Sequence, residues 1–211
     1  MSAVLLTLVM VVVAYFVGSI PSGFLVIKLA TGKDIRDYGS GNIGMANAYR
    51  VGGAIPALLV LLGDALKGAL PVLFARYALG LPDLAVLLVG LAAIIGHDFP
   101  IYLRGHGGKG IATSLGVITA LAPPVGVLAA AVWAAVIAIW RYASLASLLM
   151  LTAASLLMLG YERLFLGGRH PLFILFAVAL LIAAIYQHRA NIDRLRHGRE
   201  LKLTDKPETA E

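Results

Sequence analysis

Long apolar runs separated by short polar stretches set the pattern of this chain, and the runs are continuous, without two-residue alternation. Continuous runs predict helices, whereas a membrane barrel would alternate lipid-facing and lumen-facing residues. The first run, roughly Ala3 to Leu29, contains Gly18-Ser19-Ile20-Pro21-Ser22-Gly23, which predicts a kink near Pro21. Ser19 and Ser22 should pack against another helix. No small-residue cleavage site follows, so the run reads as a retained helix and not a signal peptide. A second run, about Ala54 to Tyr77, carries Asp64 and Lys67 on one face, where they can pair. Such ions are either functional or a structural brace. The third run, about Leu84 to Gly96, is short. Ile111 to Ala122 is shorter still, about a dozen residues against the roughly 20 of a perpendicular crossing. Pro123-Pro124 should break it, so it either crosses a thinned region or re-enters. Val125 to Trp140, Leu145 to Leu166 and Leu172 to Gln187 follow, with turns at Arg141-Tyr142-Ala143-Ser144 and Gly167 to Pro171. His188 to Glu200 is a charged tail. Residues 1–201 read as one domain, and 202–211 as a disordered end.

Composition sharpens the class. Of 211 residues 60% are hydrophobic and only 13% charged, about half the charged share of a soluble domain. With a mean hydropathy of +0.91, the chain reads as an all-α, polytopic membrane bundle of about seven transmembrane helices. Counted that way, one side holds Lys28, Lys33, Arg36, Arg50, Arg104, Lys109, Arg141 and the basic tail; the other holds Arg76, Arg163 and Arg169. The positive-inside rule makes the rich side cytoplasmic, with the N-terminus outside and the C-terminus inside. It also accounts for the net charge of +6 without a nucleic-acid partner. The chain has no cysteine, which excludes disulfides, thiolate catalysis and cysteine zinc sites.

Four polar stretches, all on the basic side, could carry chemistry. The richest is Gly96 to Thr113, with His97, Asp98, Arg104, His106 and Lys109 among glycines. Glycines let a backbone approach a ligand, consecutive N–H groups can form an anion nest, and Lys109 adds a point charge. The stretch is no Walker A loop, because Gly110 follows Lys109 where Ser or Thr is required. His97 beside Asp98 suggests an acid/base pair only weakly, since adjacent side chains need not face each other. The second stretch, Gly39 to Arg50, offers Ser40, Asn42, Asn47 and Arg50, either as turn residues or as donors converging on an oxyanion. Asp34 and Asp37 beside it read as caps or solvated charges. In the third, Ser144 is placed to cap a helix, and Ser147 to face a site or bond its own backbone. The fourth, His188 to Glu200, puts His188 and Asn191 on one helical face, to hold a polyol or phosphate or simply to sit at anionic headgroups.

In order and spacing these stretches resemble the bacterial acyl-phosphate-dependent glycerol-3-phosphate acyltransferases. The likeness rests on Ser40 to Arg50, Asp64 with Lys67-Gly68, Gly96-His97 with Pro100, Gly107 to Thr113, Ser144 to Ser147, and His188-Arg189 with Asn191, Arg194, Gly198 and Glu200. It covers nearly the whole chain. The resemblance implies transfer of an acyl group from acyl phosphate to glycerol 3-phosphate in phospholipid biosynthesis, giving 1-acyl-glycerol-3-phosphate and phosphate. It places a multi-pass enzyme in the bacterial cytoplasmic membrane with its site on the cytoplasmic face. It implies catalytic roles for Lys109, Ser147, His188 and Asn191. Substrate contacts are implied for Ser40, Asn42, Asn47, Arg50, Gly107, Gly108, Lys109, Gly110 and Thr113. Two departures bear on the phosphates: Met45-Ala46 stands where the family usually has Ala-Thr, and His106 where it usually has Lys.

An acyl phosphate is already activated, so the implied reaction needs no covalent enzyme intermediate. The chain also lacks the His-x4-Asp pair of thioester-dependent acyltransferases, since neither His97 nor His106 has the Asp. No cofactor is implied, and the histidines are not spaced as metal ligands, so activity should persist in chelator. The acyl chain would lie between spans, open to the bilayer. The competing reading is a transporter of a phosphorylated solute, favoured by broken helices and intramembrane charge but not by polar stretches gathered on one face. A lipid-binding scaffold would explain the basic tail only.

Overall fold

The structure, a computed structural model, describes residues 2–165, 167 and 171–206. Among these it is all helix: α1 (Ala3–Gly18), α2 (Ser22–Thr31), α3 (Met45–Gly52), α4 (Ala54–Leu73), α5 (Asp83–Asp98), α6 (Ile111–Leu121), α7 (Pro123–Trp140), α8 (Ala143–Phe165), α9 (Pro171–Gln187) and α10 (Arg189–Arg196). The apolar runs sit close to where their sequence places them. The chain breaks at Ser19–Pro21, so α1 and α2 together form one interrupted 29-residue span. A π-helical turn, Phe74–Ala78, ends α4. As expected, α6 stops at Leu121, just before Pro123-Pro124, and the two prolines open α7, because the first helical turn has no use for their missing N–H groups. Among the described residues five helices are long and apolar enough to span a membrane, or six if α9 and α10, bent by 62°, count as one; the expected count of about seven is reached only if the short α6 also crosses. The turn expected at Gly167 to Pro171 lies mostly outside the described residues.

The short α6 packs along α4. Thr113 at its start lies against Gly68 of α4, and the carbonyl of Leu121 at its end accepts from Arg76 at 3.0 Å. It therefore runs parallel to the far half of α4 and finishes level with the end of that helix. It needs few residues because the loop before it dips into the bundle, burying Gly108 and Gly110.

Two close helix crossings hold this arrangement. Gly18 and Gly96 let α1 touch α5, with the backbone of Ala93 and the Tyr15 carbonyl where a Cβ would go. Gly68 and Gly116 do the same for α4 and α6, against the backbone of Thr113 and Ala65. Without a hydrophobic force between helices in lipid, such backbone approach through small residues is what binds them. Ser19 is fully buried at the first crossing and bonds its own helix at Tyr15 O. Consequently Gly116→Leu is expected to cost about 1–3 kcal/mol or more by overpacking and to lower the melting temperature of the detergent-solubilised protein. Gly160→Ala, in a helix with open space around it, should leave that temperature unchanged or raise it.

Candidate functional site

At one end of the bundle the four polar stretches surround a single hollow. Its inner part, a cavity of about 360 Å³, lies between α3, α4, α6, α7 and α8 and is closed from below by α10 and the segment after it. Its outer part, about 820 Å³, opens past the glycine loop and the 36–42 loop. Both parts are lined by Ser40, Asn42, Lys109, Asn191 and Arg194, so these residues form the neck between them.

Lys109 sits in that neck and donates to Asn191 Oδ1. Asn191 turns its Nδ2 to Glu200 Oε1 at 2.6 Å. The same Glu200 oxygen accepts from Ser144 Oγ at 2.7 Å, and Oε2 accepts from Arg194 Nε at 2.7 Å. Glu200 therefore ties the α8 start, α10 and, through Asn191, the glycine loop. Arg50 reaches in from α3 and donates to the carbonyls of Leu201 and Lys202, at 3.2 and 3.0 Å. Those two residues, with Leu203 N bonded to Arg141 O at 2.7 Å, form a strap across the cavity. The backbone of Lys202, Leu203 and Asp205 makes hydrogen bonds, in the stretch read from sequence as a disordered end; 207–211 lie outside the described residues.

His188 occupies the bend between α9 and α10 and lines the inner cavity, 3% exposed. Its Nδ1 lies 2.8 Å from Ala184 O. A carbonyl can only accept, so Nδ1 carries the hydrogen and Nε2 of the neutral ring keeps its lone pair for a ligand. Ser147 also lines the cavity but donates to Ala143 O at 2.7 Å, the self-bonding alternative. Opposite the polar groups the wall is apolar, with Leu115, Ala130, Trp133 and Met150. Ala134 belongs to the same wall and is exposed on the outside of the bundle, so the cavity opens sideways between helices.

Several expectations change at this resolution of detail. Ser144 is not a cap, because α8 already begins at Ala143 and the hydroxyl serves Glu200. The glycine stretch is not a run of free N–H groups. Those of Gly105, His106 and Gly108 are spent on Pro100, Leu103 and His97 carbonyls, as a loop dipping into the bundle must satisfy its backbone. The N-terminal turn of α6 takes over the role: Ile111 and Ala112 line the cavity beside Lys109, so a helix N-terminus faces it. Thr113 is fully buried against Gly68 and lines neither part. Gly110 lines neither part, its left-handed φ of 68° serving the start of α6. Gly107 and Gly108 wall the outer part. Asn47 reaches the inner wall, yet its side chain knits the 35–40 loop, bonding Ile35 O, Tyr38 O and Ser40 N. Asn42 turns its Oδ1 back to Gly44 N. Asp98 accepts from Gln187 and does not pair with His97. Asp34 does cap its turn, accepting from Arg36 N. Glu200 and Arg194 carry the resemblance in sequence but were given no role there; the structure joins them to Ser144 and Asn191.

The family model of glycerol-3-phosphate acyltransferase matches residues 8–198. The glycerol-3-phosphate acyltransferase of Desulforudis audaxviator is 48% identical over 97% of this chain and 98% of its own. That of Geobacter sulfurreducens is 44% identical over 92% of this chain and 95% of its own. Among solved structures, the integral membrane glycerol 3-phosphate acyltransferase PlsY in its glycerol 3-phosphate form superimposes with a TM-score of 0.84 at 36% identity, covering 93% of this chain and 94% of that one. Its lysophosphatidic acid form gives 0.82 at 35%, with the same coverage.

Burial pushes the Lys109 amine down to about 8, Glu200 opposing the shift while Arg194 and Arg50 add to it. Lys109 is therefore a full cation only below that pH, and its attraction for an anion is lost as pH rises through it. Titrating inorganic phosphate or glycerol 3-phosphate into the protein should show affinity falling between about pH 7 and pH 9. Lys109→Arg should flatten that fall, since a guanidinium stays charged throughout.

Proposed function

The chain belongs to the glycerol-3-phosphate acyltransferase family, and from that premise we propose that it uses acyl phosphate as donor, yielding 1-acyl-glycerol-3-phosphate and phosphate. The supporting observation is the hollow itself. Cations, a helix N-terminus and an uncommitted imidazole nitrogen stand at one end, and an apolar wall open to the side stands at the other. A phosphate-bearing polar substrate and a long acyl chain need those two environments in contact. Acyl chains partition into lipid at about 0.8 kcal/mol per buried CH₂, so the lateral opening at Ala134 is a path for the donor from the bilayer. The basic end lies on the cytoplasmic face of the bacterial inner membrane, by the excess of Lys and Arg there.

In the proposed reaction the substrate hydroxyl oxygen attacks the acyl carbonyl carbon, and the carbonyl carbon–oxygen bond to phosphate breaks. His188 Nε2 accepts the hydroxyl hydrogen bond and orients the attack. The proton ends on the departing phosphate, so no covalent enzyme intermediate is required. Lys109, Arg50 and the first turn of α6 oppose the negative charge of the phosphates and of the developing oxyanion. Ser40 and Asn42 border the neck through which a phosphate group passes. Holding both substrates in one cavity removes the entropy cost of a bimolecular encounter.

Purified protein in detergent should release phosphate only when acyl phosphate and glycerol 3-phosphate are both present. Flux of glycerol 3-phosphate into proteoliposomes without phosphate release would instead make it a transporter. His188→Ala should raise KM for glycerol 3-phosphate about tenfold, the worth of one hydrogen bond, with kcat largely kept. A kcat loss of about 10²–10⁴-fold at unchanged KM would assign the imidazole as general base instead.

A further inference from the structure

The buried ions of α4 take no part in the chemistry above. Asp64 and Lys67 pair at 2.8 Å with side chains 2% and 5% exposed. Lys67 Nζ also donates to Ile20 O at 2.7 Å, in the break between α1 and α2. His97, at the end of α5 and 3% exposed, turns Nδ1 to within 3.5 Å of the same Asp64 oxygen. That nitrogen makes no hydrogen bond, so it meets the carboxylate as an electrostatic contact. Asp64 and His97 both reach the wall of the inner cavity.

The other edge of the imidazole lies under the glycine loop. A Cβ on Gly108 would collide with His97 Nε2, Cε1 and Cδ2. Gly108 N donates to His97 O at 3.1 Å. His97 thus holds Gly108 twice, by its carbonyl and by its ring, and the next residue is Lys109. An ion pair this deep is weak evidence for added stability, because desolvation offsets the attraction. Ions that face the interior of a membrane bundle more often serve function.

We propose that Asp64 and His97 are a positioning pair for Lys109. The carboxylate fixes the imidazole, the imidazole fixes Gly108, and Gly108 fixes where the ammonium of Lys109 points. Lys67 balances the carboxylate and anchors it to the α1–α2 break. The proposal rests on the phosphate role of Lys109 proposed above. It also gives a reason for glycine at 108, which has no left-handed backbone to demand it: the space of a side chain is filled by the His97 ring.

The test is a double-mutant cycle on the full chain in detergent, reading KM for glycerol 3-phosphate, kcat and melting temperature. Gly108→Ala and His97→Ala should each raise KM about tenfold, whatever fall in melting temperature the clash or the vacancy brings. In the double variant the new methyl occupies the space the imidazole left, so KM should fall below the product of the single effects. Asp64→Asn should raise KM in the same direction, and His97→Gln, which keeps a polar group there, should recover part of the loss. Losses at 97 and 108 that simply multiply would overturn the proposal, as would a lowered melting temperature with KM unchanged. Should His97→Ala not fold, the Gln and Asp64→Asn variants decide alone by the same two readouts. Lys109→Ala is measured in parallel: an unchanged KM there removes the phosphate role, whereas a raised KM with no coupling between 97 and 108 removes only the positioning pair.

Discussion

Positive charge gathered in a partly buried hollow is the constraint on which the rest of this molecule depends. Arg50, Lys109 and Arg194 converge on the inner cavity, and among its lining residues their counter-charge is Glu200, Asp64 being committed to Lys67. Like charges that are poorly solvated repel more strongly than they would in water. The structure relieves this without cancelling it. Glu200 takes Arg194 directly and steadies Lys109 through Asn191, while carbonyl dipoles of Leu201 and Lys202 take Arg50. The residue of that strain shows in the Lys109 amine, lowered to about 8 chiefly by burial. On the proposed reaction an arriving phosphate group would complete the balance. The hollow is in this sense preorganised: the cost of assembling its cations was met when the chain folded.

The irregular parts of the fold follow from the need to build such a hollow in a membrane bundle. Non-helical backbone at membrane depth is tolerated only where it is buried in protein or lines a cavity. The glycine loop satisfies that rule by spending its N–H groups on the carbonyls of Pro100, Leu103 and His97. Dipping the loop shortens α6 to eleven residues and aims its N-terminal turn at the cavity. Bending the chain by 62° at His188 lays α10 across the hollow, so that one helix face delivers Asn191 and Arg194 together.

The spans and the grouping of the polar stretches on one face were legible in the sequence, because hydropathy and charge are properties of local runs. Lys109, Arg50, His188 and Asn191 meet as their residue types suggested. What stayed hidden depended on rotation about a helix axis or on contacts distant in the chain. Thr113 has the hydroxyl of a ligand contact, yet its face of α6 turns to Gly68. Ser144 has the makings of a cap, yet its partner lies 56 residues away at Glu200. Asp64 and Lys67 are readable as a pair from their spacing alone, but the His97 ring that joins them comes from another helix.

The two departures from the family pattern fall on different parts of the hollow. Met45 and Ala46 line the inner cavity, whereas His106 lines the outer one. Loss of a hydroxyl beside Met45 removes a donor from a wall that already has Arg50 and the α6 terminus. If the resemblance holds at 106, His106 stands for a lysine and a permanent charge is absent from the outer part, where Arg36 is committed to Asp34 at 2.6 Å. On the proposed reaction the departing phosphate leaves through this outer part while the acylated product, now lipophilic, leaves sideways past Ala134. A weaker outer charge would hold that phosphate less tightly. The inner cations, which on that reaction would act on the bond being made and broken, are present in this sequence.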